Sequence, residues 1–182
     1  MITGLILYLL LVAVLIALGI TVVRTAWFDA PFVPSGSRAL KHIFDAVGIR
    51  PGEVFYDLGS GDGRVVREAA RRGAYAIGIE RSRILTWWAR LLNVILRPPA
   101  EGSLAKARFI NGNFLVSDIS RADTVYCYLL PEAMAKLRPK FERELKPGAR
   151  VVSRAFKIHG WTPRQRFQFG KRTVPVYLYI KD

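Results

Sequence analysis

The sequence has few of the residues from which covalent and metal cross-links are built. Its 182 residues include one Cys and two His. The lone Cys127 cannot form an intrachain disulfide, and no Cys or His pair has the spacing of metal ligands. A disulfide-stapled scaffold and a structural zinc site are therefore excluded, and a reducing compartment is favoured.

Acidic residues are also scarce, with 14 Asp plus Glu against 28 Lys plus Arg and a net charge of +14. Because 51% of the residues are apolar, including four Trp and ten Phe, the chain is expected to form a packed core rather than a disordered basic tail. The basic surface favours anionic partners, of which a membrane leaflet is one. Nucleic acid is disfavoured, since no basic stretch is interleaved with aromatic residues.

The first 23 residues contain no charge, and Ile2 to Val23 form one apolar run. As a helix this run would measure roughly 33 Å, which is enough to cross a bilayer. It lacks the basic flank and the cleavage site of a signal peptide. We therefore predict a transmembrane anchor over 1–23, a connector over 24–36 and one domain over 37–182. Basic residues begin at Arg24, after the run, so that domain is expected to face the cytoplasm.

Short apolar segments alternate with helical patterns along the rest of the chain. This alternation predicts an α/β fold with a Rossmann-like, doubly wound, mostly parallel sheet. A closing hairpin is expected from strands at 166–169 and 174–180. The five preceding strands are predicted at 54–58, 74–80, 107–113, 122–130 and 150–156.

A glycine-rich loop follows the first predicted strand, in the sequence Asp57-Leu58-Gly59-Ser60-Gly61-Asp62-Gly63-Arg64. It lacks the Gly-Lys-Ser/Thr of a P-loop. The dinucleotide fingerprint requires a small residue where Arg64 stands, so NAD is disfavoured.

The loop instead resembles the first motif of class I S-adenosylmethionine-dependent methyltransferases, which is an acid followed by three alternating glycines. Glu80 closes the second predicted strand, where a carboxylate can accept hydrogen bonds from both ribose hydroxyls of an adenosine. The resemblance implies S-adenosylmethionine as the cofactor. The residues that it implies for cofactor binding are Asp57, Gly59, Ser60, Gly61, Asp62, Gly63, Glu80, Asn113 and Phe114.

Over residues 31 to 180 the chain is similar to the ATP synthase c-subunit lysine methyltransferase family and its membrane-anchored bacterial and archaeal relatives. The family's reaction is N-methylation of a protein lysine, so the resemblance implies a protein substrate. With the predicted anchor, a membrane or membrane-associated protein is expected. The similarity is carried by the loop and by Pro31-Phe32-Val33-Pro34-Ser35, Gly78-Ile79-Glu80, Tyr126-Cys127-Tyr128-Leu129-Leu130-Pro131-Glu132, Leu145-Lys146-Pro147-Gly148-Ala149-Arg150 and Gly160-Trp161-Thr162-Pro163.

The fourth predicted strand ends in Tyr128-Leu129-Leu130-Pro131. Enzymes that methylate adenine N6 or glutamine present Asn or Asp, two prolines and an aromatic residue here, so adenine methylation is disfavoured. Tyr128 and Trp161 are the candidates for lining a substrate pocket. Asp118 and His159 are weaker candidates for accepting the lysine proton.

The predicted helix from Arg81 to Arg97 is apolar around most of its circumference. One interpretation is contact with anionic lipid. The alternative is burial against another helix or a partner protein.

Two other functions also stay open, namely methylation of a lipid or small molecule and a catalytically silent cofactor-binding module.

Overall fold

The computed structural model describes residues 2–28, 37–96, 107–170 and 173–182. Its helices are α1 (Ile2–Phe28), α2 (Ser37–Val47), α3 (Arg64–Arg71), α4 (Arg83–Ile95) and α5 (Pro131–Glu144). Its strands are β1 (Val54–Leu58), β2 (Tyr75–Glu80), β3 (Ala107–Asn111), β4 (Thr124–Cys127), β5 (Arg150–Arg154), β6 (Gln165–Phe167) and β7 (Val176–Ile180). The alternation of strands and helices from β1 to β5 is the one predicted from the sequence.

The strands form a single sheet in the order β3-β2-β1-β4-β5-β7-β6. The first five strands in this order are parallel, whereas β7 pairs antiparallel with both β5 and β6. The prediction of an α/β fold with a mostly parallel sheet is therefore confirmed. The order reverses between β1 and β4, and in open α/β sheets ligands bind at the carboxyl ends of the strands at such a reversal.

Each face of the sheet carries its own hydrophobic cluster, because side chains alternate along a strand. Phe55 and Tyr126 pack with Phe44 of α2 on one face, which we call the α2 face. Tyr56 and Val125 point to the other face, with the buried side chains of α5, which we call the α5 face. Helices thus cover both faces, as a doubly wound sheet requires.

Four strands end earlier than the sequence suggested, and two of these are β5, which ends at Arg154, and β6, which ends at Phe167. The prediction that the third strand reaches residue 113 is wrong, because β3 ends at Asn111 and a turn begins. Asn113 stabilises that turn by accepting a hydrogen bond from the backbone N–H of Leu115 at 3.0 Å. The fourth strand ends at Cys127 rather than at residue 130, and Leu130 keeps an extended backbone as the N-cap of α5, which Pro131 opens.

The chain divides into two compact units, Met1–Val33 and Pro34–Asp182. The first unit contains α1, which continues beyond the predicted anchor at 1–23. Within the part of the chain that the structure describes, no helix has the combined length and hydropathy that a bilayer crossing demands, so the predicted transmembrane helix lacks support there. Most of the predicted connector over 24–36 lies outside the described residues.

Candidate functional site

The glycine-rich loop joins β1 to α3 at the carboxyl edge of the sheet. Its first two amides, those of Gly59 and Ser60, both donate to the carbonyl oxygen of Ile79, at 2.9 and 3.1 Å. The amide of Gly63 donates to the carbonyl of Ser60 at 2.8 Å and closes the turn. These bonds fix the loop against β2 and place its backbone at the reversal in strand order.

Glycine is required in this region for two different reasons. Gly63 has a φ of 77° and precedes α3, and a Cβ there would lie 2.3 Å from the ring of Phe109. Gly78 has ordinary backbone, but its Cβ would lie 2.6 Å from the hydroxyl oxygen of Ser60. The loop can therefore approach β2 and β3 only because these positions carry no side chain.

Glu80, the last residue of β2, receives backbone hydrogen bonds on both carboxylate oxygens. Its Oε2 accepts from the amide of Gly61 at 2.9 Å, and its Oε1 accepts from the amide of Ser82 at 2.8 Å. An ionised carboxylate has about four acceptor positions, so about two stay available. The side chain is half-buried and held in one orientation, as a receptor for two neighbouring hydroxyl groups would need to be.

Asp57 is the penultimate residue of β1 and is only 3% exposed. Burial raises its pKa well above the ordinary value, and the negative charges of Glu80 and Asp62 raise it further. Three carboxyl groups are thus collected around one loop. Such a group is complementary to a ligand that carries positive charge and hydroxyl donors.

Asp62 and two arginines hold the end of the loop. Although burial raises the pKa of Asp62, hydrogen bonds from Arg64 outweigh this effect and lower the pKa below its ordinary value. Arg67 is buried and donates to the carbonyl oxygen of Asp62 at 2.7 Å. Arg67 was not predicted as a site residue, because it stands beside the acidic Glu68 in the sequence and no local pattern marks it as buried.

The turn after β3 lies beside the same edge. The amide of Gly112 donates to the carbonyl of Glu80 at 2.9 Å, and Phe114 is buried. The side-chain oxygen of Asn113 accepts the turn hydrogen bond from Leu115, which leaves one of its two lone pairs. Asn113 and Phe114 are therefore near Glu80, although neither belongs to a strand.

These residues fit S-adenosylmethionine. The hydroxyl of Ser60 is buried in the loop and has no hydrogen-bond partner among the described residues. Buried polar atoms of this kind normally have a partner, so a ligand that supplies one suits the site. The acidic group formed by Asp57, Asp62 and Glu80 suits a cofactor with ribose hydroxyls, an ammonium group and a positively charged sulfur.

The two predicted pocket residues lie in different places. Tyr128 follows β4 at the carboxyl edge and is half-buried under the guanidinium of Arg154, which lies 4.8 Å from the ring centroid. Trp161 instead packs between Phe141 and Tyr179, with centroid distances of 6.2 and 5.9 Å. The structure therefore brings Tyr128 to the edge that bears the loop, whereas the contacts of Trp161 are those of a packing residue.

The two residues predicted to accept the lysine proton, Asp118 and His159, make contacts that hold the backbone in place. The carboxylate of Asp118 accepts from the amide of Ser120 at 2.9 Å, and this hydrogen bond lowers the pKa of Asp118. His159 is exposed, and its backbone carbonyl accepts from Arg138.

Among the described residues, no His, Cys, Asp and Glu side chains form a group that could hold a metal ion.

A cavity of about 440 Å³ lies at the opposite edge of the sheet. It is lined by residues at the amino ends of β1 and β2, among them Val54, Tyr56, Tyr75 and Ile77. Because parallel sheets bind ligands at the carboxyl ends of their strands, we place the site at the loop and not in this cavity.

Comparison with known proteins agrees with this site. The family model of the ANTKMT methyltransferase domain matches residues 57–165. A protein-lysine N-methyltransferase from Saccharolobus islandicus is 34% identical over 154 residues, covering 82% of this chain and 92% of that protein. The human lysine N-methyltransferase of the ATP synthase c-subunit is 33% identical over 147 residues, covering 81% of this chain but only 60% of the human protein.

A solved structure is also closely similar. The crystal structure of an RNA methyltransferase from Salinibacter ruber in complex with S-adenosyl-L-homocysteine has a TM-score of 0.74 and 34% identity. The alignment covers 81% of this chain and 93% of that one. From the loop, the fold and these relatives together, the chain belongs to the ANTKMT methyltransferase domain family and is an S-adenosylmethionine-dependent methyltransferase.

Proposed function

We propose that this enzyme methylates the side-chain nitrogen of a lysine in a protein substrate. The observation that carries the proposal is the loop and Glu80 at the reversal in strand order, in a chain whose relatives include protein-lysine N-methyltransferases. We assign cofactor binding to Asp57, the loop from Gly59 to Gly63, Glu80 and the turn at Asn113 and Phe114.

The residues at the edge account for the chemistry in outline. S-Adenosylmethionine, when bound, supplies an electrophilic methyl group. The acceptor lysine must be neutral, and starting from an ordinary pKa of about 10.4 this costs about 4.6 kcal/mol at pH 7. A partly desolvated position beside Tyr128 lowers that cost, because burial disfavours the charged ammonium form. We retain Tyr128 as the pocket residue and give Trp161 a supporting role.

RNA methylation is a second candidate. It is favoured by the name of the Salinibacter ruber enzyme and by the net charge of +14. Against it stands Tyr128-Leu129-Leu130-Pro131, which differs from the sequence that adenine and glutamine amino-methyltransferases carry at this position.

The two candidates are separated by the polymer that receives the methyl group. The purified full chain would be incubated with methyl-labelled S-adenosylmethionine and an extract of its host, and samples would then be treated with protease or with ribonuclease. We expect protease alone to release the label, and Asp57→Asn to abolish the labelling. Release by ribonuclease would support the RNA candidate, and extraction of the label into organic solvent would indicate a lipid acceptor.

We further propose that the enzyme works at a membrane, with its catalytic domain on the cytoplasmic side and a membrane-associated substrate. Besides the uncharged run over 2–23, the outer face of α4 supports this. Large apolar side chains are exposed there, including Ile84 at 58%, Trp87 at 61%, Trp88 at 45% and Ile95 at 63%. Exposed tryptophans on a helix in a strongly basic chain suit the interface of an anionic bilayer.

The fluorescence of these tryptophans tests the membrane contact. The full chain with Trp27→Phe would be reconstituted with vesicles of phosphatidylglycerol whose acyl chains carry bromine, a quencher that acts on contact. We expect strong quenching, and loss of quenching in the matched chain that also carries Trp87→Phe and Trp88→Phe, where only Trp161 is left. Equal quenching in the two chains, or none in either, would show that α4 does not contact the membrane.

A further inference from the structure

Arg154, the last residue of β5, has two hydrogen-bond donors that lack an acceptor among the described residues. Its Nε and Nη1 atoms are buried, and among the described residues neither has a hydrogen-bond partner. The guanidinium stacks on the ring of Tyr128 at 4.8 Å. A buried donor without an acceptor is costly, so Arg154 is suited to a ligand that supplies oxygen atoms.

The strand register places Arg154 beside the proposed site. Cys127 pairs with Ser153, so Tyr128 and Arg154 each lie one residue further on and on the same face of the sheet. Arg154 itself pairs with Val176, whose side chain belongs to the cluster on the α2 face. Arg154 is therefore on the α2 face at the carboxyl edge, three strands from Glu80.

The backbone directly after Arg154 has an unusual conformation. Ala155, the next residue, has a φ of 72°, in the left-handed region that side chains other than glycine rarely adopt. The amide of Ala155 donates to the carbonyl of Pro175 at 2.8 Å, and the hydroxyl of Ser153 donates to the carbonyl of Phe156. Strained residues of this kind cluster at binding sites, and here the strain fixes where β5 ends.

We propose that Arg154 binds a carboxylate of the protein substrate, on an acidic residue close to the lysine that is methylated. This inference rests on the proposed lysine methylation. A guanidinium forms strong, charge-assisted hydrogen bonds with carboxylate oxygens, and the Nε and Nη1 donors of Arg154, which lie on different edges of the group, can each take one. The net charge of +14 makes an acidic segment the complementary partner. Glu80 lies on the far side of β1, so β5 borders the side of the reversal away from the adenosine position. Arg154 is thus a specificity residue and not part of the cofactor site.

The experiment uses the full chain in four forms, namely wild type, Arg154→Met, Arg154→Lys and the control Arg143→Met, which removes an exposed arginine from the end of α5. Binding of S-adenosylmethionine is measured by calorimetry, and methyl transfer is measured with the host protein that accepts the label. We expect Arg154→Met to raise the KM for that protein about 10- to 100-fold with unchanged cofactor affinity. Arg154→Lys should recover part of the loss, and Arg143→Met should match the wild type.

The reciprocal change is made in the substrate, by replacing the acidic residues nearest the methylated lysine with their amides. In that substrate Arg154→Met should cost nothing further. A lysine without acidic neighbours, an unchanged KM in Arg154→Met, or a loss of cofactor affinity in that variant would each overturn the inference. Wild-type protein that binds the cofactor but labels no protein would refute the proposed function, and this inference with it.

Discussion

At the scale of single residues, Asp57 is held in a state that favours ligand binding over stability. Its raised pKa means that the folded protein binds more protons than the unfolded chain, so its contribution to stability is lost as the pH rises through the pKa of the folded state. We predict that Asp57→Asn raises the free energy of unfolding by about 1–3 kcal/mol above that pH. In this variant the free energy of unfolding should also fall less steeply as the pH rises. Chemical denaturation across a pH series measures this.

The same substitution should weaken the binding of S-adenosylmethionine at least about tenfold, because the cofactor's positive charges favour an ionised carboxylate at this position. Calorimetry in buffers of different ionisation enthalpy should show proton release on binding by the wild type and less by Asp57→Asn. A variant that is less stable and binds normally would contradict the assignment.

Gly63 offers a second prediction at this scale, with a matched control in the same chain. Gly63 and Gly148 have φ values of 77° and 81°, but only a Cβ at position 63 would meet other atoms, those of Phe109 and Ala89. Gly148→Ala should cost about 1–2 kcal/mol for the backbone alone. Gly63→Ala should cost about 1–3 kcal/mol more and should weaken cofactor binding. Equal losses in the two unfolding curves would show that close packing of the loop is unimportant.

The order of Asp57, the glycines and Glu80 along the chain was enough to predict the proposed cofactor site. It did not identify Arg67 or Arg154, whose importance depends on where the chain folds them. Asn111 shows the same limit. It ends β3 in place of the predicted Asn113, and its side-chain amide donates to the carbonyls of Glu80 and Arg81. Short-range patterns do not contain such long-range contacts.

At the scale of elements, Arg150 connects three parts of the domain. Its side chain forms a partly buried ion pair with Glu53 and donates to the carbonyls of Val47 and Gly48 at the end of α2. Arg150→Met should lower the free energy of unfolding by about 1–3 kcal/mol, because Glu53 loses its partner at a partly buried position. Arg138→Met, in the exposed pair with Glu142, should cost less than about 1 kcal/mol. A similar cost for both would contradict this account of how α2 is attached.

Helices and strands were predicted well wherever hydrophobic periodicity was strong. The end of β4 was predicted too late, since the apolar residues Leu129 and Leu130 continue the pattern after the ladder stops. Phe114 and Leu129 are buried without belonging to a strand. Burial alone, which the pattern reports, does not distinguish a strand from a buried turn.

At the scale of the whole molecule, the excess of basic residues has a consequence that can be measured. The charge of +14 should make attraction to an anionic bilayer depend strongly on salt. Bromine quenching of the tryptophans on α4 is therefore expected to weaken between low salt and about 0.5 M salt. Val116→Glu, at an apolar position that is 79% exposed outside α4, serves as the control and should leave the quenching unchanged. Quenching independent of salt would show that charge does not contribute.

The family, the cofactor and the sheet followed from the sequence because the glycine loop, the acid of the second strand and the alternation of elements agree with one another. The substrate does not follow in the same way, since the side chains to which we assign its selection, Tyr128 and Arg154, meet at the carboxyl edge only after folding.

The central claim is tested most directly by the chemical identity of the methylated product. Protein labelled by the full chain with methyl-labelled S-adenosylmethionine would be hydrolysed completely, and its amino acids would be separated beside standards. The account predicts label in N-methylated lysine, with none formed by Asp57→Asn. Label in another amino acid, in a nucleoside or in a lipid would contradict it.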